Sequence, residues 1–296
     1  MRRLAVTALL VAATAATVPA AAVPAGPQQR LQHLLVDDAV VADGGRTTVT
    51  LGPITKSPAN PLLKEDREWE GSWKNTNPSI VYRDGVYHLW MTTNVVCPGA
   101  SPGNTANSCE HPGYNWTVPN TTHRDGGLLY ARSTDGITFT KPNLGLVEVF
   151  GSKENNLVYR TGGGPAQTGV FFDEKAEVFR MFGKSFGIPM RGYDGKKVSV
   201  GVASSFDGIH NWTNWTSVAS MGLTGTHGAD TSNNALWDEH LQEYLAFSRI
   251  DSDVDDQKYG TRRESRSSSK SWDGPWSPAV QVLRGEHGYE AYALIP

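Results

Sequence analysis

Short apolar runs separated by turns rich in Gly, Asp, Asn and Ser dominate the chain from about residue 75 onward. Within these runs, apolar and polar residues alternate with a period of two, which is typical of β-strands that bury one face. Helical periodicity is almost absent, and its best candidate outside the N-terminal segment is a short lead-in at residues 28–41. The pattern therefore predicts an all-β fold.

The stretch TNPSIVYRDGVYHLWMTT, residues 76–93, shows this pattern most clearly. Two apolar runs flank Asp84-Gly85, a pair that favours a tight reversal between two strands. Asn77-Pro78 stands directly before the first run and marks the beginning of its strand. The stretch predicts a β-hairpin that an amide side chain precedes.

A unit of about four strands repeats along the chain. Its first half is a hairpin with an acidic turn, and its second half is a strand that enters a Ser-rich turn closed by an aromatic residue. The acidic turns contain Asp84, Asp173 and Asp238, and the closing aromatics are Phe139, Trp212 and Trp276. Units of this size and content are typical of propeller blades.

We predict blades at residues 74–150, 157–221 and 227–285, and the beginning of a fourth at 287–296. About three and a half blades are therefore expected in this chain. Because an open ring exposes sheet faces to water, we expect the natural propeller to continue beyond residue 296; the alternative is that the leftover strands pair with other partners.

The N-terminus has the three regions of a secretory signal peptide. Arg2 and Arg3 precede an alanine-rich apolar run, and small residues follow it. We predict a signal peptide at residues 1–25, a lead-in at 26–65 and the propeller domain at 66–296. No later segment approaches the length of a membrane span, so the mature chain is expected to be secreted without a membrane segment.

Composition and charge argue against several other classes of protein. The net charge is −3 without a large basic cluster, which argues against nucleic acid as a partner. Cys97 and Cys109 are the two cysteines, and export predicts a disulfide between them rather than a metal site. The acidic loop at 251–256 lacks the Gly and Glu of a calcium-binding loop, so no sequence motif supports a structural Ca²⁺. No cofactor is predicted.

The chain resembles the five-bladed β-propeller glycoside hydrolase superfamily, which includes family 43 and family 32 enzymes of the arabinanase, levansucrase and invertase type. The resemblance rests on NPSIVYRDGVYHLWMTT (77–93), on YARSTDGITFTKPNLGLVEV (130–149) and on the hairpin and Ser-rich turn that recur in register. It covers about residues 66–296. A sialidase-type propeller is disfavoured, because its turn motif separates Asp from Gly, whereas Asp135 and Gly136 are adjacent.

The resemblance implies two carboxyl groups that face each other across a central funnel, one acting as acid and the other as base or nucleophile. In the superfamily, the first acid is an Asp before the Pro that opens blade one, and Asn77 stands there in this chain. An amide takes up no proton at neutral pH, so Asn77 is predicted to bind a sugar hydroxyl or to cap the strand. Gln167 occupies the corresponding place in blade two and is likewise predicted to bind substrate.

Three carboxyl groups are the candidates for catalysis. Asp230 precedes the innermost strand of blade three, with His227 as a neighbour that binds substrate; the alternatives are an Asx turn for Asp230 and a structural role for His227. Glu290 lies in an apolar strand of blade four, where it points into the funnel or to the exposed face. Glu70, in the segment directly before blade one, is the third candidate, as a substitute for the missing Asp.

Two further side chains are candidates for substrate binding. Asp125 ends the insertion of blade one, and Trp73 offers an aromatic face on which a sugar ring can stack. The sequence thus predicts a secreted glycosidase that acts on a poly- or oligosaccharide. The alternatives are a non-catalytic carbohydrate-binding propeller, in which amides replace the acids, and a propeller that binds another partner. No oligomeric state is predicted.

Overall fold

A computed structural model describes residues 50, 52–70, 73, 77–95, 125–161, 168–185, 199–213, 215–221, 229, 233–251 and 262–285. The chain divides into two compact units, Met1–Lys56 and Ser57–Pro296, and all the strands lie in the second. No helix in the described part of the chain is long and apolar enough to cross a membrane. The predicted signal peptide, the helical lead-in candidate and the predicted disulfide Cys97–Cys109 lie outside the described residues.

Twelve strands and one 3₁₀ turn, Ala219–Met221, make up the regular structure of the described residues. The strands are β1 (Ser79–Arg83), β2 (Val86–Val95), β3 (Asp125–Ser133), β4 (Leu157–Thr161), β5 (Gly169–Asp173), β6 (Val178–Ser185), β7 (Ser199–Ser205), β8 (Thr216–Ser217), β9 (Asn234–Asp238), β10 (Glu243–Asp251), β11 (Arg262–Ser269) and β12 (Val280–Arg284). The prediction of an all-β fold is confirmed.

The strands form three antiparallel sheets of four, each built from consecutive strands. Sheet 1 contains β1–β4, sheet 2 contains β5–β8 and sheet 3 contains β9–β12. The first strand of each sheet contacts the first strand of the next, β1 with β5 and β5 with β9. Sheets that meet along their first strands are arranged as the successive blades of a propeller.

The predicted boundary between blades one and two is wrong. We predicted that blade two begins at residue 157, but β4 pairs with β3 and is the outermost strand of sheet 1. Asn156 explains the difference, because its side-chain Nδ2 donates to the Tyr130 carbonyl at 2.8 Å and its own carbonyl accepts from the Tyr130 N–H at 2.9 Å. These bonds place β4 beside β3, although an irregular connection that resembles a linker in sequence separates the two strands.

Separate apolar cores join the neighbouring sheets. Trp90, Tyr130 and Phe179 belong to the core between sheets 1 and 2, and the Trp90 indole N–H donates to the Gly208 carbonyl at 2.8 Å. Phe182 and Trp276 belong to the core between sheets 2 and 3. Each interface therefore has its own buried aromatic residues, which contribute strongly to packing energy.

A buried carboxylate also ties sheet 2 to sheet 3. Asp173 is fully buried, and its Oδ2 accepts from the Tyr244 hydroxyl at 2.5 Å and from Arg180 Nε at 3.0 Å. Burial alone would raise the pKa of Asp173, but the bonds from Tyr244, Arg180 and the Ala176 N–H outweigh it and lower that pKa. The carboxylate is therefore kept ionised inside the interface.

The Ser-rich turns have a common hydrogen-bond pattern. Ser133 Oγ donates to Asp135 Oδ1 at 2.8 Å, and that oxygen accepts two backbone N–H groups further along the turn. Ser205 and Asp207 repeat the arrangement in sheet 2. The repeated motif is thus a self-contained turn, in which the Oδ1 atom of each Asp accepts hydrogen bonds from the turn itself.

We predict that Gly208→Ala destabilises the fold more than Gly85→Ala. Both glycines have a left-handed backbone, with φ of +72° and +79°, but a Cβ at Gly208 would lie 2.6 Å from Trp90 Cζ2, while nothing lies within 4 Å at Gly85. We expect a loss in the free energy of unfolding of about 2–4 kcal/mol for Gly208→Ala and about 1–2 kcal/mol for Gly85→Ala, measured by urea denaturation. Equal losses would show that Trp90 does not pack against this turn.

Candidate functional site

The beginnings of the first strands define one edge of the three sheets. Strands β5 and β9 run parallel where they meet, through a bridge between Thr168 and Asn233. The Val170 N–H donates to Ser79 Oγ at 2.9 Å, which places the beginning of β1 beside the beginning of β5. We call this the entry edge. Asn77 and Asp125 belong to it, because they precede β1 and begin β3.

Strands β5 and β9 approach each other closely at the entry edge. A Cβ added to Gly169 would lie 2.5 Å from the Asn233 carbonyl oxygen and 3.0 Å from Asn234 Cα. One at Gly183 would lie 2.5 Å from Thr168 Oγ1. Gly169 therefore lets β5 and β9 meet, and Gly183 in β6 leaves room for the Thr168 side chain beside them.

A buried hydrogen-bond network surrounds Asn233. Ser248 Oγ donates to Asn233 Oδ1 at 2.6 Å, and Asn233 Nδ2 donates to the Ala229 carbonyl at 3.1 Å. The Ser248 carbonyl in turn accepts from Ser265 Oγ at 2.7 Å. Because Asn233, Ser248 and Ser265 are all almost completely buried, each of these bonds replaces water that cannot reach the site.

Ala229 is held in a strained conformation next to this network. It is fully buried with φ of +57°, a left-handed value that residues with a Cβ adopt at a cost. Its N–H donates to the Arg249 carbonyl at 2.8 Å, and its own carbonyl accepts from Asn233. Asp230 follows it directly in the sequence and lies outside the described residues. The residues on either side of the 230–232 segment are thus both anchored.

Two fully buried charged residues, which the sequence analysis did not single out, lie near the same edge. Arg249 in β10 and Glu264 in β11 are directly opposed in the register of sheet 3. Directly opposed residues in an antiparallel pair project from the same face, so the two opposite charges are neighbours. Because both strands contain further charged residues, such as Glu243 in β10 and Arg266 in β11, the sequence alone does not mark this pair as buried.

Asn77 is half-buried directly before β1, where the sequence analysis placed it. Asp125 is the first residue of β3 and pairs through its backbone with Val95, the last residue of β2. Both positions are at the entry edge. The structure therefore brings the beginnings of β1, β3, β5 and β9 to one side of the sheets.

Glu70 and Trp73 have surroundings different from those expected at a funnel. Trp73 packs against the face of sheet 1 that points away from sheet 2, and Glu70 is fully buried in the same segment. Glu70 Oε2 accepts from Lys141 Nζ at 2.8 Å and from the N–H groups of Asp66 and Arg67. Burial raises the pKa of Glu70, while these donors act in the opposite direction. A carboxyl without exposed surface is poorly suited to contact substrate.

The remaining candidates, Asp230, Glu290, Gln167 and His227, lie outside the described residues. So do residues 252–256 of the acidic loop. Within the described ranges, no three His, Cys, Asp or Glu side chains are grouped so that they could hold a metal ion.

No protein-family model and no curated protein matches the sequence. Solved structures of similar fold include a family 117 glycoside hydrolase from Zobellia galactanivorans (13% identity, 73% of this chain and 59% of that one, TM-score 0.44). They also include a glycosyl hydrolase from Bacteroides ovatus (13%, 77% and 57%, TM-score 0.44). A third is an exo-1,5-α-L-arabinanase from a bovine ruminal metagenomic library (9%, 71% and 61%, TM-score 0.39). The chain thus spans about three fifths of the length of these structures.

We predict that Asn233→Ala destabilises the protein by about 2–4 kcal/mol, because it leaves Ser248 Oγ and the Ala229 carbonyl buried without this partner. The exposed Asn143 provides the control. Asn143→Ala is expected to change the free energy of unfolding by less than about 0.5 kcal/mol. Chemical denaturation measures both variants, and a loss for Asn233→Ala as small as that of the control would contradict the network.

Proposed function

We propose that the protein is a secreted glycoside hydrolase that acts on a poly- or oligosaccharide through paired carboxylates at the entry edge. The observation that carries this proposal is the convergence of β1, β5 and β9, whose beginnings bring Asn77, Thr168 and Asn233 to one side of the sheets. In the superfamily that the sequence resembles, this is where the acids and the groups that bind sugar are found. The signal peptide that the sequence predicts at residues 1–25 supports the proposal of secretion.

Asp230 is the proposed centre of the chemistry. In the sequence, it stands between Ala229 and Asn233, two buried residues that are hydrogen-bonded to each other. Catalytic groups gain from rigid neighbours, because a displacement of about 1 Å can cost a large part of the rate.

The second carboxyl group of the proposal is Glu290. One of the pair protonates the leaving oxygen, and the other activates water or attacks the sugar. A separation of about 5 Å between them would give retention of configuration, and about 6.5–9.5 Å would give inversion. Glu70 does not enter this pair, since it is fully buried and paired with Lys141.

We assign substrate binding to side chains with amide, imidazole or carboxylate groups. Asn77, Gln167, His227 and Asp125 are the proposed residues. Amides and carboxylates can accept from or donate to several sugar hydroxyls at once, which suits a polar ligand. Trp73 is left out, because Lys141 Nζ lies over its ring, 4.7 Å from the centroid.

Asn77 favours a second candidate function, a carbohydrate-binding propeller without catalysis. An amide stands where the resembled superfamily has an acid, and an amide cannot serve as a general base. In this alternative, Asn77 and Gln167 bind a glycan that the protein does not cleave.

The two functions are distinguished by incubating the full-length protein with arabinans, xylans, fructans and mannans while reducing ends and binding are measured. We expect release of reducing ends from at least one glycan, and a loss of about 10²–10⁴-fold in Asp230→Asn. Asp84→Asn, in an exposed hairpin turn where Asn also tolerates the left-handed backbone, is the matched control and should keep the wild-type rate.

Hydrolysis that survives in Asp230→Asn would overturn the role of Asp230. Binding without release of reducing ends in the wild-type protein would favour the carbohydrate-binding propeller. The absence of both would favour a propeller that binds another partner.

A further inference from the structure

Residues 60–70 form a strap across sheet 1, on the face that points away from sheet 2. Leu63 and Trp69 of the strap, followed by Trp73, pack against this face. The apolar residues beneath them are Leu89, Met91, Leu129, Ala131, Val149 and Leu157, all of which are buried. The strap thus covers a surface that would otherwise be an exposed apolar sheet face.

One cation ties the strap to sheet 1. Lys141 follows Thr140, which forms a bridge with Arg132 of β3. Its Nζ donates to the Lys64 carbonyl, to Asp66 Oδ1 and to Glu70 Oε2, each at 2.8 Å. These three bonds use all the N–H donors of an ammonium group. The Lys141 side chain is 4% exposed, so the attachment is shielded from water.

Glu70 makes the strap depend on Lys141. Its side chain is fully buried, its Oε2 accepts from the Asp66 and Arg67 N–H groups at 2.9 and 3.1 Å, and no described residue donates to its Oε1. A buried carboxylate that loses its cation is strongly destabilising, because its charge is then uncompensated. Loss of Lys141 would therefore favour either protonation of Glu70 or an opening of the strap that lets Glu70 reach water.

The strap can open without disrupting the two interfaces between sheets. The core beneath it involves sheet 1 alone, whereas the cores between sheets 1 and 2 and between sheets 2 and 3 are built from other residues. Trp69 Nε1 also donates to Asn156 Oδ1 at 3.0 Å, in the connection that leads to β4. Native proteins open locally in contiguous units, with free energies that range from about zero up to that of global unfolding.

We propose that the strap, residues 60–70, opens as a unit and exposes the apolar face of sheet 1, and that the bonds of Lys141 hold it closed. This inference is independent of the proposed function. It predicts that the opening of the strap and the unfolding of the sheets are separate events with different free energies.

Limited trypsin digestion of the full-length protein tests whether Lys141 holds the strap closed, because the cleavage sites Lys64 and Arg67 lie within the strap. In Lys141→Gln, cleavage after these residues should be at least about tenfold faster than in wild type, while the far-ultraviolet circular dichroism is unchanged. Lys153→Gln, at an exposed lysine, is the control and should leave cleavage at the wild-type rate. Lys141→Arg keeps the charge and should restore much of the protection.

Cleavage after Lys64 and Arg67 at the wild-type rate in Lys141→Gln would overturn the proposal. So would an equal increase in cleavage after Arg132 and Arg180 in the sheets, because it would show that the whole protein is destabilised.

Hydrogen exchange of the wild-type protein gives a second test that holds even if the variant does not fold. The Asp66 and Arg67 amides should exchange together, and faster than those of Trp90 and Tyr130 in β2 and β3. Equal protection of the two groups would show that the strap does not open separately.

Discussion

The contact between the beginnings of β5 and β9 is the constraint on which the arrangement of the sheets depends. The Asn233 carbonyl oxygen occupies the space that a side chain at Gly169 would need. The parallel bridge between Asn233 and Thr168 fixes the register of β5 and β9. With the bond from Val170 to Ser79, this contact sets β1, β5 and β9 side by side. The entry edge exists because these three strands begin together.

The interfaces between sheets stabilise that arrangement from further out. Trp90 reaches across to the turn at Gly208, and Tyr244 reaches across to Asp173. Both contacts combine apolar burial with a hydrogen bond whose partner would be costly to leave unsatisfied. The first strands of the sheets are therefore kept in place partly by side chains of β2 and β10, which are the second strands of sheets 1 and 3.

Local features were predictable from sequence, while features that depend on distant residues were not. The reversal at Asp84-Gly85 and the Ser-Asp-Gly turns are determined by backbone preference and short-range hydrogen bonds. The assignment of β4 failed, because it depends on the bond between Asn156 and Tyr130. The burial of Glu70 depends likewise on Lys141, which is 71 residues away in the chain. The glycines at positions 169 and 183 carry no local signal, because their space is occupied by residues of other strands or by Thr168.

The most direct measurement of the central claim is a proton nuclear Overhauser effect between the α-protons of Gly169 and Asn234. A Cβ at Gly169 would lie 3.0 Å from Asn234 Cα, so the account predicts a strong cross-peak in the full-length protein. Cross-peaks between Gly169 and Phe182, its partner in β6, serve as the reference. If the Gly169–Phe182 cross-peaks are present and the Gly169–Asn234 cross-peak is absent, β5 and β9 do not meet, and the proposed arrangement of the sheets is contradicted.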